Sequence, residues 1–181
     1  MLYYLVALLD DTFYSKVEKI QRDISNKYDL YEDLPTLHMT IEIIEDPKDL
    51  ILLCQCISSI LNDFTIFTTK INGVICFDPP YKSVNLKVEK EPYILKLINR
   101  INEVLREKGF KVRENIEDWD LHISLANINF SKRIWTQEEF QEACFIATED
   151  QYRFETKISK LQLWKPLNNK KEMIVESFSL K

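Results

Sequence analysis

Only two histidines occur in this 181-residue chain, and both stand in the same short pattern. Leu37-His38-Met39-Thr40-Ile41 and Leu121-His122-Ile123-Ser124-Leu125 each read apolar, histidine, apolar, hydroxyl, apolar, with the second histidine 84 positions after the first. In a β-strand, residues i and i+2 point to the same face. His38 and Thr40 therefore project together, while Leu37, Met39, Ile41 and Ile43 turn the other way into a core. His122 and Ser124 do the same, backed by Leu121, Ile123 and Leu125. An imidazole with an ordinary pKa near 6.5 can give or take a proton close to neutrality. A hydroxyl beside it can donate to a phosphate oxygen. Two such units facing each other supply one base and one acid, which is what transesterification or hydrolysis at phosphorus requires. A lone histidine on a polar strand face is usually just solvated, but here every histidine has a hydroxyl two residues on.

The elements that would position these units follow from periodicity and punctuation. Leu2–Leu9 reads as a buried strand. Thr12 to about Lys27 has helical spacing, with Phe13, Val17, Ile20 and Ile24 on one stripe. Leu37–Ile44 alternates as the first motif strand, and Pro47–Asp63 reads as a helix opened by its proline. Thr65–Phe77 and Ser83–Glu89 are β-rich and separated by the breaker Asp78-Pro79-Pro80. Pro92–Lys108 reads as a helix that stops at Gly109. Leu121–Ile128 is the second motif strand. Thr136 opens a helix through about Ala147, with Glu138 and Glu139 at its positive end. Arg153–Trp164 and Glu172–Leu180 read as two closing strands around a turn at Pro166–Asn169. Short turns between neighbouring strands favour antiparallel pairing, so the expected class is α+β. No linker rich in Gly, Ser or Pro divides the chain.

Composition excludes several alternatives. There are only 2 glycines, where ordinary usage would give about 13, so no Gly-rich phosphate loop or dinucleotide fingerprint is present. The GxSxG elbow and the HExxH zinc motif are absent too. A net charge of −5 argues against the broad basic surface that grips duplex DNA, though not against a small site for one phosphate. The four cysteines (Cys54, Cys56, Cys76, Cys144) lack CxxC spacing, and Cys54 and Cys56 read as small core residues of a helix. Leu2–Leu9 lacks the basic flank of a secretion signal and is followed by Asp10-Asp11. No apolar run approaches the ~20 residues that span a bilayer. A soluble, cytoplasmic monomer with no membrane contact is expected.

The two motifs in this order of elements resemble those of the 2H phosphoesterase superfamily, which includes the bacterial 2′-5′ RNA ligase-like proteins and cyclic nucleotide phosphodiesterases. That family carries two HxT/HxS tetrapeptides at roughly this separation, and the resemblance runs over nearly the whole chain. It implies one domain, residues 1–181, of two pseudo-symmetric lobes, one bearing His38 and the other His122. Antiparallel sheets would flank a central cleft, with helices outside. It also implies chemistry without metal or cofactor on a 2′,3′-cyclic phosphate or a 2′-5′ or 3′-5′ linkage. The expected partner is a small nucleotide or an RNA end. His38 and His122 become the proton-transfer pair, and Thr40 and Ser124 the phosphate-oxygen donors.

Two departures stand out. Many relatives place a basic residue shortly after a motif, where this chain has Glu42 and Asn127. Alternation puts Glu42 on the face of His38 and Thr40, where it would repel a phosphate, raise the pKa of His38, or simply lie solvated at a strand end. Positive charge must come from elsewhere, with Lys82, Arg113 and Lys165 as candidates. Tyr81, after the Pro-Pro turn, and Trp164, before Pro166, are candidates to stack a base at the cleft rim; with Lys82 they complete the substrate-binding set. A His38–Glu42–His122 metal set would leave both hydroxyls without a role. The competing function is a non-catalytic module that binds a nucleotide or RNA end in the same cleft.

Overall fold

The computed structural model describes residues 1–167 and 172–181. In chain order the elements are β1 (Leu2–Ala7), α1 (Asp11–Tyr28), β2 (Met39–Glu45), α2 (Leu50–Leu61), β3 (Phe67–Phe77), β4 (Ser83–Val88), α3 (Pro92–Glu107), β5 (Lys111–Val112), β6 (His122–Ala126), α4 (Gln137–Glu149), β7 (Arg153–Ile158), β8 (Lys160–Trp164) and β9 (Ile174–Ser179). The strands form one antiparallel sheet in the order β7-β3-β4-β6-β2-β1-β8-β9, with β5 paired to β2 off that path. The α+β class and the antiparallel pairing hold.

The two motif strands, β6 and β2, are neighbours at the middle of the sheet. Their ladder is confined to Met39 opposite Ile123, whereas β1–β2 and β4–β6 are paired over several residues. Helices α1 and α3 cross between the halves. α1, which leaves β1, lies against β6 and β7, and α4 covers β3 and β4; α3, which leaves β4, packs on β2, β5 and α2. Each motif strand is thus backed by a helix whose preceding strand belongs to the other half. Met39, Ile41, Leu121, Ile123 and Leu125 are buried in the shared core, as the alternation requires.

Helix ends follow local chemistry. Asp10 caps α1 by accepting from the Phe13 amide, and its other oxygen accepts from Thr156 Oγ1 and the Lys157 amide, tying α1 to β7. Thr136 and Glu139 form a reciprocal capping box at α4. At the end of α3, Gly109 has φ +82, and the Gly109 and Phe110 amides donate to the Arg106 and Leu105 carbonyls. That closure needs a left-handed residue, which glycine adopts at no steric cost.

Four expectations change. First, α2 starts at Leu50 rather than Pro47, because the Asp49 side chain caps the Leu52 amide. Second, Arg153–Trp164 is not one strand: the chain breaks at Ser159, so β7 pairs with β3 while β8 pairs with β1 and β9 in the other half of the sheet. Third, Cys76 on β3 and Cys144 on α4 form a disulfide with a Cα separation of 6.3 Å, a link that no motif announces across 68 residues. Cys56 is buried, as expected, and Cys54 partly so. Of the turn at Pro166–Asn169, the part from residue 168 lies outside the described residues. Among the described residues no helix is long and apolar enough to cross a membrane.

The fourth change bears on the site. Both motif strands carry a bulge at the third residue after the histidine. Val6 pairs with Thr40 and Leu5 with Glu42, leaving Ile41 extra; Asn85 pairs with Ser124 and Val84 with Ala126, leaving Leu125 extra. An extra residue reverses the side-chain alternation beyond it. Glu42 therefore leaves the face of His38 and Thr40, and Ile43 takes its place there.

Candidate active site

The register at the seam sets the geometry of the motifs. With Met39 opposite Ile123, extending that antiparallel register by one residue each way brings the His38–Thr40 and His122–Ser124 segments alongside each other. All four side chains emerge on one face. The His122 charge is among the causes that lower the pKa of His38, after burial.

Each ring is held in the same way. His38 Nδ1 lies 2.8 Å from the Thr36 carbonyl, and His122 Nδ1 lies 2.7 Å from the Asp120 carbonyl. A carbonyl oxygen only accepts, so Nδ1 carries the hydrogen in both rings and the neutral imidazole presents a bare Nε2. The lock is local, using the carbonyl two residues upstream, which is why a duplicated tetrapeptide reproduces it.

Both rings resist protonation. Burial is the main cause of the lowered pKa of His38, against the favourable bond to Thr36 and with the small added effect of His122. Burial also leads for His122; the Asp120 carbonyl and carboxylate oppose it, and the Arg113 charge adds to it.

Their walls differ. Trp164 meets His38 edge-on at 4.7 Å between centroids, and its Nε1 donates to Gln162 Oε1 at 2.8 Å. His122 has Phe77 edge-on at 5.1 Å and Trp119 stacked at 6.1 Å. The Arg113 guanidinium lies 3.9 Å above the Trp119 ring.

Glu42 is fully buried. Its carboxylate accepts from Arg113 Nε at 2.7 Å, Asn102 Nδ2 at 2.7 Å and the Ile43 amide at 2.8 Å. Arg113 Nη2 also donates to the Ile41 carbonyl. None of the three expectations for Glu42 holds: it neither repels a phosphate, nor raises His38, nor lies in solvent. Nor does it join His38 and His122 in a metal set, because the bulge aims it at α3. No cluster of three metal-ligating residues occurs among the described residues.

The other candidates are scattered. Trp164 is at the site, 6% exposed, as a wall of His38. Tyr81 stands 64% exposed in the turn between β3 and β4. Lys82 Nζ donates to the Trp135 carbonyl at 3.2 Å, while its own carbonyl accepts from Trp135 Nε1, so it braces the approach to α4. Lys165 bonds the Met173 carbonyl through its backbone amide. Sequence reasoning missed Phe77, Trp119 and Lys87. Lys87 pairs across from His122, shares its face by that register and is solvent-exposed. Its position in the alternation of β4 was readable, but the partner strand was not.

Residues 4–174 match the family model described as the AKAP7 2′5′ RNA ligase-like domain. No curated protein matches the chain in sequence. Among solved structures, TT0787 of Thermus thermophilus aligns with a TM-score of 0.72 at 15% identity, over 99% of this chain and 98% of that one. E. coli LigT complexed with 3′-AMP gives 0.62 at 10%, over 99% and 97%. The MHV ns2 PDE domain gives 0.63 at 14%, over 90% and 98%. These likenesses show a shared fold. With the family model covering nearly its whole length, the chain belongs to the AKAP7 2′5′ RNA ligase-like family, within the 2H phosphoesterase superfamily.

Proposed function

We propose that the protein is a metal-independent phosphodiesterase acting on a 2′,3′-cyclic phosphate, a 2′-5′ linkage or a small cyclic nucleotide or oligonucleotide. The observation that carries this reading is the seam register around Met39 and Ile123, with both Nδ1 atoms bound to carbonyls. These observations support a reading in which two bare Nε2 atoms and two hydroxyls face one phosphate. One neutral imidazole takes a proton from water, whose oxygen forms the new bond to phosphorus. The other, as imidazolium, gives its proton to the departing ribose oxygen as that P–O bond breaks. Thr40 and Ser124 donate to the nonbridging oxygens as charge develops. Trp164, Phe77 and Trp119 supply apolar walls that restrict water and offer faces to a base. Structures of E. coli LigT complexed with 3′-AMP, ATP and NADP+ support a nucleotide as the ligand class.

The test is a panel of 2′,3′-cyclic mononucleotides, 2′-5′ oligomers and cyclic dinucleotides, assayed in EDTA with the product phosphate position assigned. Turnover of at least one class in EDTA is expected. Activity lost in EDTA and restored by Zn²⁺ or Mn²⁺ would contradict the metal-independent mechanism. Saturable binding without product would make the protein a nucleotide-binding module.

A further inference from the structure

The two hydroxyls of the site are not equivalent. Ser124 Oγ lies 2.8 Å from Asn127 Nδ2; Thr40 has no side-chain hydrogen bond among the described residues. The orientation of the Asn127 amide is fixed independently, because its Oδ1 accepts from the Asn129 amide at 2.7 Å. A backbone N–H can only meet the oxygen end, so the NH₂ end must face Ser124. Asn127 thus donates to Ser124, occupies a lone pair of Oγ and leaves the hydroxyl hydrogen free for another acceptor.

The loop that holds Asn127 is itself pinned. Tyr31 Oη accepts from the Asn127 amide and donates to the Asn127 carbonyl, each at 2.7 Å. That double contact needs a neutral phenol, and burial raises the Tyr31 pKa to about 12. Tyr31 follows α1, the helix that crosses to pack on β6.

We infer that Asn127 is a positioning residue that makes Ser124 an obligate donor toward the cleft, so that the His122 half supplies the pre-set hydrogen bond to the phosphate. This rests on the proposed phosphodiester chemistry. A donor aimed in advance needs no reorganisation as charge builds on a phosphate oxygen, and a hydroxyl that is already accepting is a better donor.

The test is a double-mutant cycle on Ser124 and Asn127, read by kcat and KM on a substrate that the wild type turns over and by the Kd of inorganic phosphate. Asn127→Ala should lower kcat/KM about 10-fold in the wild-type background and less than about 2-fold in Ser124→Ala, since an effect exerted through Ser124 disappears with it. Asn127→Asp keeps an acceptor for the Asn129 amide but offers Ser124 an acceptor instead of a donor. Its extra loss in the wild-type background over Ser124→Ala should exceed that of Asn127→Ala. If Asn127→Ala fails to fold, the Asp variant carries the cycle. Equal losses in the two backgrounds would overturn the inference. Should the wild type show no turnover, the phosphodiesterase reading fails, and the same cycle in phosphate affinity still decides the role of Asn127: coupling supports it, additivity overturns it.

Discussion

The two motif strands are built alike in backbone and differently in surroundings. In both, the histidine is locked by the carbonyl two residues upstream, the hydroxyl follows at i+2, and a bulge at the next residue reverses the alternation. After the bulge, β2 buries Glu42 and β6 buries Ala126, each within about 1% of full burial. What distinguishes the halves lies outside the repeated pattern: Trp164 beside His38, Trp119 beside His122 with Arg113 over its ring, and Asn127 on Ser124. A short repeated pattern can fix a ring and its tautomer by itself. Making the surroundings of the two rings differ requires partners outside that pattern.

The sharpest way to break the comparison is at the buried position after the bulge. Glu42→Ala leaves the nearly buried Arg113 guanidinium, with an exposure of 11%, without its carboxylate. Removing one partner of such a pair costs about 3–5 kcal/mol, to be read by denaturant unfolding. Ala126→Ser, at the equivalent place in β6, should cost clearly less, because it strands no charge. Next come the rings. His38→Ala and His122→Ala should each lower kcat by at least ~10²-fold while both proteins keep a cooperative thermal transition. If only one does so, the other ring is not an acid–base group.

The hydroxyls separate the halves further. Ser124→Ala should cost about 1.5–3 kcal/mol in transition-state stabilisation, the range for a hydrogen bond to a charged group. Thr40→Ala should cost less, because nothing in the described structure orients its hydroxyl in advance. Equal losses would remove the asymmetry. The smallest effect concerns Arg113. Replacing the pair together, Glu42→Leu with Arg113→Met, removes the cation that disfavours the His122 imidazolium without leaving an unpaired charge. The His122 pKa, followed by NMR titration, should rise, and that of His38 should move less.

The local geometry of the two motifs was legible in the sequence because it depends on neighbouring residues. The pattern around His38 and His122 dictated the shared face, and the core positions Met39, Ile41, Ile123 and Leu125 followed from alternation. Glu42 was misplaced because one extra residue in a strand leaves no trace in composition, yet reverses every later side chain. The split of Arg153–Trp164 was hidden for a related reason. β7 and β8 are both extended and adjacent in sequence, and only their partners, β3 and β1, show that they belong to opposite halves. Phe77 and Trp119 could not be singled out, since their places beside His122 depend on contacts between residues distant in sequence or beyond the motif; Asn127 was noted only as a departure, and its bond to Ser124 was not foreseen. Tyr81 and Lys82 were chosen for neighbouring a turn, and that choice carried no information about which way the turn faces.

Both imidazoles have pKa values lowered below the ordinary 6.5, chiefly by burial. The proposed mechanism needs one ring neutral and one protonated, a state most populated between the two apparent pKa values of the pair. The pH dependence of kcat/KM, which reports the free enzyme, should therefore be bell-shaped in EDTA, with its maximum on the acid side of about 6.5. The kcat profile should lie at higher pH, because a bound phosphate anion favours the imidazolium. A kcat/KM profile that rises through a single limb and stays flat to alkaline pH would contradict the two-histidine mechanism for this protein.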